Sequence, residues 1–120
     1  MDEIRLGVVE ERFADILWRN APVSTKVLVA LCEQELNWKR TTTYTVLKKL
    51  CDRGIFAMEN STVRTRISKS EFHAMQSEKF VEDTFQGSLP AFIAAFGSRK
   101  KLSPEDLQQI RQMIDAMEEA

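Results

Sequence analysis

Between Lys39 and Leu50 the chain reads KRTTTYTVLKKL. Thr41, Thr42, Tyr44 and Thr45 bring hydroxyls to this stretch, and Arg40, Lys48 and Lys49 bring cations. A threonine hydroxyl can bond a phosphate oxygen or a base edge, and its methyl can pack on a thymine methyl. Lysine and arginine displace counterions from phosphates. The rest of the chain offers little covalent chemistry. It has one histidine, His73, and two cysteines, Cys32 and Cys51, without motif spacing. There is no glycine-rich phosphate loop, nucleophile elbow or metal-ligand cluster. Enzyme function, cofactor and metal are therefore not expected.

Charge points to the same stretch. Net charge is −1 over 120 residues. Residues 1–37 carry net −3, residues 38–69 net +6 and residues 70–120 net −4. One central segment thus holds the positive field expected of a phosphate-facing surface. The N-terminus, MDEIRLGVVEERF, is too charged for a signal peptide, and no apolar run approaches the roughly 20 residues of a membrane span. A cytoplasmic location, with both cysteines as free thiols, is the expectation.

The elements that must position these groups can be read from periodicity and caps. Leu6, Val9, Phe13, Ile16 and Leu17 predict a first helix from about Leu6 to Arg19. Ser24 caps a second, with Val23 and Leu28 as a hydrophobic staple and Val27, Leu28, Leu31 and Cys32 inward. The opening stretch fits a helix better than a strand. At about 100° per residue, Thr43, Val46, Leu47 and Leu50 share one side. Thr41, Thr45, Lys48 and Asp52 point the other way, flanked by Thr42, Tyr44 and Lys49. Gly54 ends this helix.

After Gly54 the period becomes two. Phe56 and Met58, then Val63, Thr65 and Ile67, predict a hairpin turning at Glu59-Asn60-Ser61-Thr62, with Arg64 and Arg66 on the opposite face. Ser68 and Glu71 form a capping box for a long helix through Phe72, Met75, Val81 and Phe85. Pro90 restarts the chain as a short helix near Ser88, and Gly97-Ser98-Arg99-Lys100-Lys101 reads as a basic link. Ser103-Pro104-Glu105-Asp106 opens the last helix.

The predicted fold is mostly α with a small β-hairpin: a winged helix-turn-helix over residues 1–70 and a helical dimerisation domain over residues 71–120. The dimer expectation rests on Phe85, Leu89, Phe92, Ile93, Phe96, Leu107, Ile110, Met113, Ile114 and Met117, which exceed what a short tail can bury alone. Trp18 and Trp38 read as packing anchors with locally bonded indole N–H groups. A winged helix that binds protein instead of DNA is the alternative, and the central positive segment disfavours it.

Several motifs carry a resemblance. ILWRNAPVS, WKRTTTYTVLKKLCDRGIF, RTRIS, GSLPAFIAAF and LSPEDLQQIRQMI together resemble the penicillinase-repressor family of bacterial regulators, over nearly the whole chain. The resemblance implies a homodimeric repressor of a palindromic double-stranded DNA operator, of a β-lactamase, antibiotic-resistance or related stress operon. It implies that the helix from about Arg40 reads the major groove and that the last helices form the dimer. Thr42 and Thr45 match the family's recurrent threonines. Tyr44 stands where an arginine is common, Thr41 often corresponds to a lysine, and Lys49 to an arginine. Asp52 departs from a frequent lysine, with Lys48 one turn back as its partner. The DNA-binding set expected here is Arg40, Thr41, Thr42, Tyr44, Thr45, Lys48, Lys49, Arg64 and Arg66. Members induced by β-lactams are cut by a membrane metallopeptidase between asparagine and phenylalanine, where this chain has Ala95-Phe96. Copper-sensing members carry paired cysteines near the C-terminus, and this chain has none after Cys51.

Overall fold

The stretch that raised the question of strand or helix is a helix. A computed structural model describes residues 6–120, so the first five residues of the expected 1–70 domain lie outside the described ones. The elements run α1 (Val8–Asn20), β1 (Val23–Ser24), α2 (Thr25–Leu36), α3 (Arg40–Asp52), β2 (Phe56–Glu59), β3 (Thr62–Thr65), α4 (Lys69–Phe85), α5 (Leu89–Arg99) and α6 (Pro104–Glu119). This is a winged helix with a helical C-terminal region. Two compact units divide the chain, Met1–Ser77 and Glu78–Ala120, and the division falls inside α4.

Caps explain most of the boundaries. Glu10 reaches back to the Gly7 N–H at 3.1 Å and starts α1 two residues later than expected. Ser24 accepts from the Val27 N–H at 3.1 Å and starts α2. Asn37, at φ 56°, ends α2 in the left-handed region that asparagine tolerates. The end of α3 is a Schellman closure. Ile55 N–H donates to Leu50 O at 3.1 Å and Gly54 N–H to Cys51 O at 2.9 Å. Gly54 has φ +81°, which a side chain would strain. The paired apolar contact of that motif is present too, since Leu50 and Ile55 are both buried.

The wing is a three-stranded antiparallel sheet in the order β1-β3-β2. Asn60 and Ser61 both have positive φ, 51° and 62°, and close a two-residue loop between the paired Glu59 and Thr62. Two left-handed residues in succession match the right-handed twist of the flanking strands. The hairpin was expected, but its third strand was not. Val23 pairs with Val63 and Ser24 with Thr62. β3 is therefore the middle strand and Val63 is fully buried, whereas Met58, on the edge strand β2, is half exposed.

One apolar cluster holds the first unit. Phe13, Ala14, Ile16 and Leu17 from α1, Leu28 and Cys32 from α2, Leu47 and Leu50 from α3, Phe56 and Val63 from the sheet and Phe72 from α4 are all buried. Val9 and Val27 are not part of it, being 52% and 49% exposed. The inward line of α2 is Thr25, Leu28 and Cys32, which turns Val27 outward. Trp38 stacks on Phe13 at 5.4 Å. Trp18 sits 5.6 Å from both Phe56 and Phe72. Its N–H donates to Ile67 O at 3.0 Å, a bond across 49 positions. The two cysteines are free, Cys32 buried and Cys51 half-buried, and burial pushes both thiols up.

In the second unit the last two helices start where expected, each on a serine cap. Ser88 accepts from Ala91 N–H and Ser103 from Asp106 N–H, at 3.1 and 3.0 Å. The basic link is shorter than expected, because α5 continues to Arg99 and takes up Gly97 and Ser98. Ser98 donates to Ala95 O at 2.7 Å there. Phe80, Phe85 and Phe92 form a triangle of edge-on rings 5.7 to 6.0 Å apart. Phe80 did not stand out in the sequence as part of that cluster.

Phe56 joins the sheet to α1 and α4 through Trp18. Phe56→Ala is expected to lower stability by about 3–5 kcal/mol in urea unfolding of the full chain. A loss under about 1 kcal/mol would show that the wing is not anchored through this ring.

Candidate nucleic-acid interface

The inward stripe of α3 sets which residues face out. Thr43, Leu47 and Leu50 are buried, and Val46 is half-buried. Thr43 keeps its hydroxyl satisfied by donating to Lys39 O at 3.4 Å, and it opposes the rise that burial imposes on the Cys32 thiol of α2. The opposite side presents Arg40, Thr41, Thr42, Thr45, Lys48 and Lys49, all exposed. The α3 N-cap, Lys39, offers no side-chain bond, and the first turn holds no acidic residue. The leading N–H groups of α3 and their partial positive charge are therefore open to an anion.

The exposed side chains are not equivalent. Thr45 donates its hydroxyl proton to Thr41 O at 2.9 Å, so its oxygen is set up to accept. Lys48 bonds Asp52 at 2.9 Å, one turn on, as expected from the sequence. Both are largely in water, with side chains 77% and 65% exposed, so the pair holds Lys48 weakly. Lys49 differs. It reaches Glu10 of α1 at 3.4 Å, and Arg53 approaches the same carboxylate at 3.8 Å. Arg64 lies in β3 and Arg66 just beyond it; both are exposed and make no ion pair among the described residues.

Tyr44 is set apart from this face. It is half-buried and packs against the core cluster. The Arg40 guanidinium lies 5.5 Å from its ring centroid. The Thr25 hydroxyl and then Arg40 favour its phenolate form and hold its pKa below the usual tyrosine range. An open cleft of about 370 Å³ lies here, lined by Thr25, Lys26, Val29, Arg40, Tyr44 and Ser61. Thr25, Lys26 and Ser61 were not singled out in the sequence. The position of Thr25, directly after an N-cap and so at the open end of a helix, was the available clue.

Glu10 was also missed. Its carboxylate is held below the usual glutamate range, first by the Gly7 N–H and then by Lys49 and Arg53, against the opposing effect of partial burial. A depressed folded-state pKa stabilises the fold fully above the ordinary glutamate range, and that contribution is lost as pH falls from there through the lowered folded-state pKa. The stability gap between wild type and Glu10→Gln should therefore be widest near neutral pH and close in acid. A gap that stays constant down to strongly acidic pH would mean that Glu10 acts through packing alone.

None of the curated proteins compared with the chain matches it. A family model described as penicillinase repressor matches residues 6–116, which span the winged helix and nearly all of the C-terminal helices. With a groove-sized helix facing outward, a positively charged centre and this match over most of its length, the chain belongs to the penicillinase repressor family.

Proposed function

We propose that the chain is a homodimeric transcriptional repressor that lays α3 in the major groove of a palindromic operator. Membership of a repressor family supports DNA binding and transcriptional control as the general activity. The observation that carries the finer reading is the outward face of α3, with three threonines and three cations exposed while Thr43, Leu47 and Leu50 hold the helix down. Exposed helix positions left to propensity favour Glu, Lys, Gln or Ala over threonine. A compact threonine lets the backbone approach the floor of a groove. In this reading Thr41, Thr42 and Thr45 meet bases and phosphates, Lys48 and Lys49 meet phosphates, and Arg64 and Arg66 on the wing meet phosphates or a minor groove. Lys49 would exchange the Glu10 carboxylate for a phosphate.

The dimer reading is carried by the second unit. Neither α5 nor α6 has a buried residue. Leu89, Ile93, Phe96, Met113, Ile114 and Met117 are 41% to 73% exposed. Phe85, Phe92, Leu107 and Ile110 are only half-buried. Faces so apolar are ordinarily covered, and a second copy would bury them symmetrically. The regulated genes, in this reading, form a β-lactamase, antibiotic-resistance or related stress operon.

The bond offered to a metallopeptidase sensor would be Ala95–Phe96. It lies inside α5, with the Ala95 carbonyl engaged by Ser98. Cutting there requires local unfolding of α5 first.

Lys48→Ala should weaken binding to all duplex DNA and reduce the salt slope by about one. Thr45→Val should lose operator binding by about 1–3 kcal/mol and leave random-sequence binding nearly unchanged. Equal losses on both duplexes for Thr45→Val would remove it from base reading. Sedimentation of the full chain at micromolar concentration should give a dimer. A monomer, free and on DNA, would contradict the dimer reading.

A further inference from the structure

Arg40 and Tyr44 occupy positions i and i+4 of α3, and their side chains meet. The guanidinium carbon lies 5.5 Å from the ring centroid, within range of attraction by the ring's negative face. The ring is itself held. It packs against the core cluster and lines one cleft with Thr25, the first residue of α2. Thr25 is buried, and its backbone N–H donates to Ser61 O at 2.9 Å. A run of neighbours thus leads from the wing's turn, through the start of α2 and across the cleft, to the ring and on to the guanidinium.

The guanidinium lies over the ring, and Arg40 also favours the phenolate form of the Tyr44 hydroxyl. No acidic residue sits in the first turn of α3, and Arg40 makes no salt bridge among the described residues. A guanidinium carries more N–H donors than the single ring hydroxyl can engage, so donors remain for a ligand. Arg40 is also the first residue of the helix, and the leading residues of a recognition helix are the ones that reach base edges. Tyr44 is half-buried and lines the cleft with Thr25, Lys26 and Val29 of α2.

Resting on the proposed groove reading, we infer that Arg40 is the specificity-determining side chain, directed to a guanine in each half-site, and that Tyr44 is the positioning residue that aims it. Guanine presents O6 and N7 together to the major groove, and a guanidinium edge bonds both at once. A long arginine loses rotamer freedom when it binds. Resting on a fixed ring, Arg40 has lost part of that freedom before DNA arrives. Tyr44 thus differs in role from Thr41, Thr42 and Thr45.

The test is selection of binding sites from randomised duplex DNA by the full-length wild type, Arg40→Ala, Tyr44→Leu, Tyr44→Gln, Tyr44→Phe and the double variant Arg40→Ala/Tyr44→Leu. Wild type should enrich guanine at one position of each half-site. Arg40→Ala should lose that preference by roughly 5- to 100-fold and keep the rest of the site. Tyr44→Leu and Tyr44→Gln should lose preference at that same position. One is apolar and the other polar, so a folding failure of either leaves the other to decide. Tyr44→Phe keeps the aromatic face and should retain most of the preference. The double variant should lose no more than Arg40→Ala, because both changes remove one interaction. The inference falls if the ring-less variants keep the guanine, lose a different position, or match Tyr44→Phe. Wild type that enriches no sequence at all would instead refute the DNA reading, and this inference with it.

Discussion

The contact that everything else rests on is the seating of α3 by Thr43, Leu47 and Leu50 on the core. Each is at most 1% exposed, so the helix cannot rotate without opening the cluster. A rotation of one residue, about 100°, would bury a lysine or expose a leucine. That seating decides at once which side chains are offered outward. It is reinforced at both ends. Asn37 ends α2 in a left-handed turn three residues before α3, and the Gly54 closure locks the other end against Ile55. Thr43 is a small polar residue buried under the helix. Its hydroxyl is satisfied within the helix, so the small polar contact leaves no unmet group.

Charge is arranged around that frame by the neighbouring helices. The acidic flanks are not merely solvated. Glu10 grips Lys49 and Arg53, Glu35 grips Arg19, and Asp15 grips Lys69. These partly exposed pairs add little stability singly. Their effect is to sort the cations: Lys49 and Arg53 are tethered to α1, while Arg64 and Arg66 make no such pair among the described residues. A winged helix by itself does not prove that DNA is the ligand; the sorted, outward cations and the threonines of α3 are what make it the favoured partner.

Much of this was legible from local chemistry. The phase of α3, the Gly54 stop, the Ser68–Glu71 box and the caps at Ser24, Ser88 and Ser103 depend on residues within a few positions of one another. Periodicity and capping rules therefore reach them. What was not legible depends on distant pairing. β1 is two residues long and exists because β3 offers it an edge; two residues have no period to detect. Met58 and Val63 share a face, yet only Val63 is covered, because sheet order decides it. The pairing of Lys49 with Glu10 spans 39 positions. Tyr44 illustrates the same limit. Helical phase put it at the flank of the outward face, but it is half-buried and lines the cleft with the buried Thr25 of another helix.

The central claim is that the outward face of α3 enters a major groove. The most direct test is methylation interference on a duplex that the chain enriches from genomic fragments. Guanine N7 faces the major groove, whereas adenine N3 faces the minor groove. Binding should be blocked by N7 methylation at guanines in two clusters related by the two-fold axis of the site. Binding that tolerates N7 methylation everywhere, and is blocked only at adenine N3, would contradict it.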